Sequence, residues 1–170
     1  MGDEGTGVSI RPFRAGDGEA FRVLNEAWIG RLFGIEEKDR STLGDPEGNI
    51  LARGGHILMA AEGEAAVGCC ALILVRSGVY EVAKMTVVES HRGRGLGRKL
   101  LAHTIAQAKA LGAKKLYLET NSSLSDAIHL YEALGFRHLP PERAPHSDYV
   151  RADVFMEMDL QPGGRGCTIG

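Results

Sequence analysis

The sequence predicts an α/β fold with a mixed central sheet, and three observations carry that expectation. Two apolar runs near the middle, His56–Ala61 and Ala65–Val75, are joined by the polar turn Glu62-Gly63-Glu64 and read as a hairpin. A third run, Tyr80–Val88, is followed by a glycine turn and then by a helical repeat, Leu96, Leu100, Leu101, Ile105, Ala108. A fourth, Lys115–Thr120, is again followed by a helical stretch, Ser125–Leu134. Strands first, then strands alternating with helices, give helices packed on a mixed sheet.

Taken in order, residues 1–7 are acidic and glycine-rich and are expected to be disordered. One domain spans 8–160, a length that suits a single core, and 161–170 forms a flexible tail. Val8–Phe13 alternates like a strand, and Pro12 favours a sheet edge. Asp17 is placed to cap a helix over Glu19–Leu32, with Phe21, Leu24, Trp28 and Leu32 on its buried face. Phe33–Asn49 reads as a long connection holding one short helix. Gly112 and Gly135 are expected to stop the two later helices, and Ser123 or Ser125 to cap the second. Phe136–Leu139 starts a strand, Pro140–Asp148 is a loop, and Val154–Met158 is the last strand.

The net charge of −2 gives no global pull toward nucleic acid or an anionic membrane. Arg92, Arg94, Arg98 and Lys99 cluster, but no aromatic residue interleaves with them as RNA binding would require. Three cysteines make no disulfide framework, and Cys69 and Cys70, adjacent on a strand, point to opposite faces. The expected location is cytoplasmic, without a signal peptide or a membrane span. Six histidines show no spacing that would hold a metal, so no metal is expected.

The chemistry concentrates in Lys84–Gly97. A strand, three alternate glycines (Gly93, Gly95, Gly97) and a helix start make an anion cradle, because glycine leaves the backbone approachable and the first helical N–H groups lack partners. Arginines at 92, 94 and 98 reinforce the positive helix end. The ligand is read as a diphosphate. A dinucleotide fingerprint would need glycine at Arg98 or Leu100, although Glu119 stands roughly where that motif wants an acid. The Gly-Lys-Ser/Thr phosphate loop fails at Arg98-Lys99-Leu100.

Arg92-x-x-Gly95-x-Gly97, together with Asn121 and Ala127–Phe136, resembles the acetyl-CoA loop and second signature helix of the GNAT (GCN5-related) N-acetyltransferase superfamily. The resemblance covers about Ile10–Leu160 and is strongest between Glu81 and Phe136. It implies a mostly antiparallel sheet in which two parallel strands, Tyr80–Val88 and Lys115–Thr120, splay into a V that admits the cofactor, with helices on both faces. It also implies that acetyl-CoA is the co-substrate. Met85 would hydrogen-bond the acetyl carbonyl by its N–H. Val87, next to Thr86, would pair with the pantetheine amides, and Arg92, Gly93, Arg94, Gly95, Leu96 and Gly97 would wrap the pyrophosphate. The family often has proline where this chain has Glu89.

Glu81 interrupts an apolar strand, where desolvation would raise its pKa toward the range of a general base; the other reading is a solvated outward-facing glutamate. The resemblance implies the base. Tyr131 shares a helix face with Ala127, Leu130 and Leu134, which spacing alone reads as packing; the resemblance implies a general acid for the leaving thiolate. Asn121 either caps the next helix or contacts the cofactor. The acceptor pocket is expected between the Trp28–Leu43 connection and the Pro140–Asp148 loop, lined by Trp28, Phe33, Glu36, Glu37, His146 and Tyr149, the acidic pair drawing in a cationic amine.

The expected reaction moves acetyl from acetyl-CoA to a small-molecule primary amine by direct transfer, since no cysteine or serine is placed as a relay. Alternatives are a non-catalytic acyl-CoA sensor, an enzyme acting on protein N-termini or lysines, and a dinucleotide oxidoreductase. A homodimer is the default assembly.

Overall fold

The computed structural model describes residues 7–160. The expected unstructured ends and Cys167 lie outside these residues, Gly7 excepted. One seven-stranded sheet runs through them in the order β1 (Val8–Pro12), β2 (His56–Glu62), β3 (Ala65–Arg76), β4 (Val79–Val87), β5 (Lys115–Thr120), β7 (Val154–Asp159), β6 (Arg137–His138). Every neighbouring pair is antiparallel except β4 and β5. Pro12 lies on β1, an edge strand, where a missing N–H costs no ladder bond.

Helices cover both faces. On one, α4 (Leu96–Ala110) and α5 (Ser125–Ala133) bury Leu100, Leu101 and Tyr131 against Leu58, Cys70, Leu72, Val82, Leu116 and Met156. On the other, α1 (Gly18–Leu32) and α2 (Glu37–Gly44) pack Phe21 and Leu43 on Ile57, Met59, Cys69 and Ala71. Strand β2 is therefore buried from Ile57 to Ala61 without a break, which is why it reads as a continuous apolar run. Cys69 and Cys70 do fall on opposite faces, both as buried free thiols.

The two predicted glycine stops hold. Gly112 and Gly135 take φ of 82° and 112°, and the residues after them, Ala113 and Phe136, bond back to Ala108 and Tyr131 at 3.0 Å each. Other local expectations are corrected. Asp17 sits at the α1 N-cap position, but its carboxylate accepts from the Arg11 guanidinium (2.7 and 3.1 Å) and the Arg14 N–H instead of capping the helix. The buried row of α1 is Phe21, Asn25, Ile29; Leu32 is exposed and Leu24 and Trp28 flank the row. Asn25 hid that row from hydropathy. Its amide is satisfied inside, donating to the Phe21 carbonyl (3.0 Å) and Cys69 Sγ (3.3 Å) and accepting from the Trp28 indole (3.2 Å). The connection after α1 holds two helices, α2 and the one-turn α3 (Pro46–Asn49). Neither serine caps α5, where Leu124 occupies the N-cap.

Candidate active site

Strands β4 and β5 pair only at Val79–Lys115, Tyr80–Leu116 and Glu81–Tyr117. Beyond Glu81 they part, while β5 stays paired with β7 through Thr120. From Val82 to Val87 the β5-facing edge of β4 is thus an unpaired edge inside the sheet, open to an amide-bearing ligand that could add like a strand. A cleft of about 1050 Å³ passes through the gap. It is lined by Glu81, Met85, Thr86, Val87, Arg92, Asn121 and Tyr131, so the separation of two strands collects seven of the residues singled out in the sequence.

A bulge coincides with the splay. Cys69 faces Thr86 and Ala71 faces Ala83, so Lys84 and Met85 together oppose the single residue Cys70. Lys84 takes φ of 54°, the one left-handed non-glycine among the described residues. Its carbonyl accepts from the Cys69 thiol (3.4 Å), and its side chain is buried on the α2 face. There the ammonium meets Asp39 Oδ1 (2.5 Å) and the Tyr149 hydroxyl (3.1 Å). Arg151 clasps the same carboxylate with both terminal nitrogens (2.7 and 2.8 Å), and both cations lie over the Tyr149 ring. Burial would raise the Asp39 pKa, but the Arg151 and Lys84 hydrogen bonds outweigh it and hold the carboxyl well below the usual range.

Glu81 is half-buried on the last paired rung. Desolvation first, then the charge of Glu119, push its pKa up to about 7, against a partial offset from Lys38 and Lys84. Of the two sequence readings, the desolvated carboxylate is the one found. Glu119, two residues beyond Tyr117 on the same face of β5, accepts from the Tyr117 hydroxyl (3.0 Å) and Ser147 Oγ (2.7 Å) and also lines the cleft. Sequence reasoning weighed Glu119 only against a dinucleotide motif. The alternation Leu116, Tyr117, Leu118, Glu119 was the signal that it faces away from the core.

Tyr131 reaches the cleft from α5, across the sheet from Glu81. Its ring packs edge-on against Phe136 (centroids 5.8 Å apart), so the packing role read from periodicity is real. Burial, with a smaller effect from Cys70, pushes its pKa up. The phenol is protonated throughout the neutral range.

Gly93 and Gly95 lead into α4 with φ of 79° and 77°, and a Cβ built on either meets nothing within 4 Å. Gly95 is the N-cap, no side chain caps the helix, and its first turn carries no acid. An open backbone and a bare helix start, with Arg94 and Arg98 next to it in sequence, leave N–H groups that an anion could meet. Leu96 and Gly97 form the first helical positions. The Arg92 guanidinium turns inward, Nε donating to the Val87 carbonyl (2.9 Å), which ties the loop to the end of β4. Glu89–His91 forms a 3₁₀ turn without the proline the resemblance would place there, and His91 contacts Glu62 and Ser90.

Two expectations change. Asn121 does not cap α5: its Nδ2 donates to the Arg151 carbonyl (2.7 Å) and its Oδ1 accepts from the Ser123 N–H and hydroxyl, so it anchors the 151 segment beside the cleft. Trp28, Phe33, His146 and Tyr149 line the cleft as expected, but Glu36 and Glu37 do not. Glu36 caps α2 in a reciprocal box with Asp39 and accepts from the Val150 N–H (3.1 Å), and Glu37 pairs with Arg40. The acids that do face the acceptor side include Glu81, Glu119 and Asp148.

Among the described residues no group of histidine, cysteine or carboxylate side chains could hold a metal ion, and no helix is long and apolar enough to cross a membrane.

Three comparisons agree on the family and the fold. The acetyltransferase (GNAT) family matches residues 20–136. An uncharacterised N-acetyltransferase, YjgM, of Escherichia coli K12 is 34% identical over 126 residues, covering 69% of this chain and 74% of that protein. A GNAT-family acetyltransferase of Staphylococcus aureus Mu50 superposes with a TM-score of 0.82 at 23% identity, over 91% of this chain and 99% of that one. A Bacillus subtilis acetyltransferase solved in complex with CoA superposes with a TM-score of 0.67 at 21% identity, over 90% and 99%.

Proposed function

Because the chain belongs to the acetyltransferase (GNAT) family, we propose that it moves the acetyl group of acetyl-CoA directly to the primary amine of a small molecule within a ternary complex. The observation that carries this reading is the coincidence, in one cleft, of a half-buried carboxylate with its pKa near 7 and a phenol reaching in from the other face of the sheet. The anion cradle fits a diphosphate and the unpaired β4 edge fits the amides of a pantetheine arm. Arg92, Gly93, Arg94, Gly95, Leu96 and Gly97 hold the diphosphate, Val87 and Thr86 the arm, and Asn121 fixes the wall beside it. Metal plays no part in the proposed reaction.

The acceptor amine arrives protonated, since such amines have pKa about 10. Glu81, in its carboxylate form, takes the proton directly or through a water. The freed lone pair attacks the thioester carbonyl, whose developing negative charge the Met85 N–H on the bulge stabilises. The oxyanion re-forms the carbonyl as the C–S bond breaks, the departing sulfur takes the Tyr131 proton, and the second proton that the amide nitrogen sheds returns through solvent to the Tyr131 phenolate, while Glu81 gives its proton up to water. Buried Cys69 and Cys70, their thiol pKa values raised by burial, offer no relay nucleophile.

Thiol release from acetyl-CoA against a panel of amines, run beside acetyl-CoA binding by calorimetry, tests the reading. Turnover on one class of small amine confirms it; turnover only on peptides assigns a protein acceptor; binding without turnover supports a sensor. Tyr131→Phe is expected to lower kcat by about tenfold to a hundredfold while the acetyl-CoA Kd stays unchanged. Gly95→Val is expected to do the reverse. A Cβ at φ 77° strains the turn by about 1 kcal/mol and stands in the open space above the cradle, so Kd rises with little further effect on the bound enzyme's kcat.

A further inference from the structure

Lys84 does something that the reaction as described leaves without a role. A lysine held left-handed at a β-bulge is strained, and burying its ammonium adds a desolvation cost. Such costs persist only where surrounding structure over-determines the conformation. Here three elements do so: Asp39 from α2, Tyr149 from the segment before β7, and Cys69 from β3 on the Lys84 carbonyl. Arg151 and Glu36 close the group, Arg151 on Asp39 and Glu36 on the Val150 N–H. The segment that carries Tyr149 and Arg151 is also the one Asn121 anchors, and Ser147 ties it to Glu119.

We propose that Lys84 is the positioning residue that joins the two halves of the active site: it fixes the β4 bulge that presents Met85 and, through Asp39 and Tyr149, docks α2 and the 147–151 segment as the acceptor wall. The inference rests on the acetyltransferase reading and on Glu81 as base. It predicts a separation of effects, because Lys84 touches the acceptor wall and the bulge but not the glycine cradle at α4.

A second consequence is electrostatic. The charged and titratable groups that face Glu81 are Lys84 on its own strand, Glu119 and Tyr117 on β5, Lys38 on α2, and Asp148 and Tyr149 on the following segment. The Lys84 ammonium favours the Glu81 carboxylate, so its removal raises the pKa of the base.

The test is Lys84→Met beside Lys84→Arg in the full chain, on the amine found to be the best acceptor. Asp39 keeps both Arg151 bonds and the Glu36 N–H in either variant, so folding is expected to survive. Lys84→Met is expected to raise the acceptor KM about tenfold and lower kcat, leave the acetyl-CoA Kd within about twofold, and move the acidic limb of kcat/KM to higher pH. Lys84→Arg keeps the charge and returns the limb to its original position. If Lys84→Met does not fold, Lys84→Gln, which keeps a polar head without the charge, carries the same expectations. A normal acceptor KM with an unmoved limb in the neutral variants overturns the inference and leaves the function intact. So does an acetyl-CoA Kd that weakens in parallel with the acceptor KM. Failure of the unsubstituted protein to turn over any amine overturns both.

Discussion

Glu81→Gln lowers kcat/KM by about two to four orders of magnitude, the range a positioned general base supplies. In the proposed reaction Glu81 works as the carboxylate, so activity is expected to fall as pH drops through about 7, the value to which burial and Glu119 push its pKa. The variant's residual rate loses that limb. The same substitution changes stability in the opposite direction. A carboxyl whose folded pKa is raised binds its proton more tightly folded than unfolded, so the native state loses stability as pH rises from about 4.5 to about 7. Glutamine removes this cost: the variant melts above the unsubstituted protein at pH 8, and the two converge near pH 4. Steady-state thiol release from about pH 5.5 to 9 and melting curves at the two pH values check both halves. An unchanged acidic limb in the variant assigns the base elsewhere.

Asp39→Ala is expected to cost about 3–5 kcal/mol, because it leaves buried Lys84 and half-buried Arg151 together without the carboxylate that both of them hold. For a chain of this size that corresponds to a Tm fall on the order of 10 °C. Asp39 also sets an acid limit. Its pKa is depressed in the folded state, so its contribution is fully present above the ordinary carboxylate range and is lost as pH falls below about 4. The unsubstituted protein therefore loses stability on acidification by more than the variant does, and the gap between their melting temperatures narrows. A Tm change under 2 °C would show that the pair is not holding α2 to the sheet.

Acceptor chemistry shifts from the sequence expectation for a structural reason. The acidic residues nearest the pocket in sequence, Glu36 and Glu37, are spent on α2 itself, one as its cap and one in a surface pair. The acids that remain at the centre, Glu81 and Glu119, come from two different strands and face the same side of the gap. In the proposed reaction a cationic amine would therefore be drawn to the splay and not to the rim.

What the sequence determined by itself is local in origin. Strand and helix periods, the glycine stops at 112 and 135, and the Arg92–Gly97 cradle all follow from residues a few positions apart, where backbone preference and hydrogen-bond geometry act directly. Glu81 was legible for a related reason, as one carboxylate in an apolar run. What only the tertiary structure decided depends on pairs far apart in the chain. That Lys84 takes a left-handed bulge, that Asp39 lies 45 positions before its partner and Arg151 and Tyr149 lie well after it, and that Asn25 is a core residue all follow from satisfying polar groups at burial, which no short window of sequence contains. The same holds for Asn121, whose cap-like sequence position is overruled by a carbonyl 30 residues away. Hydropathy marks which residues leave water; which buried charge meets which is decided only when the sheet brings them together.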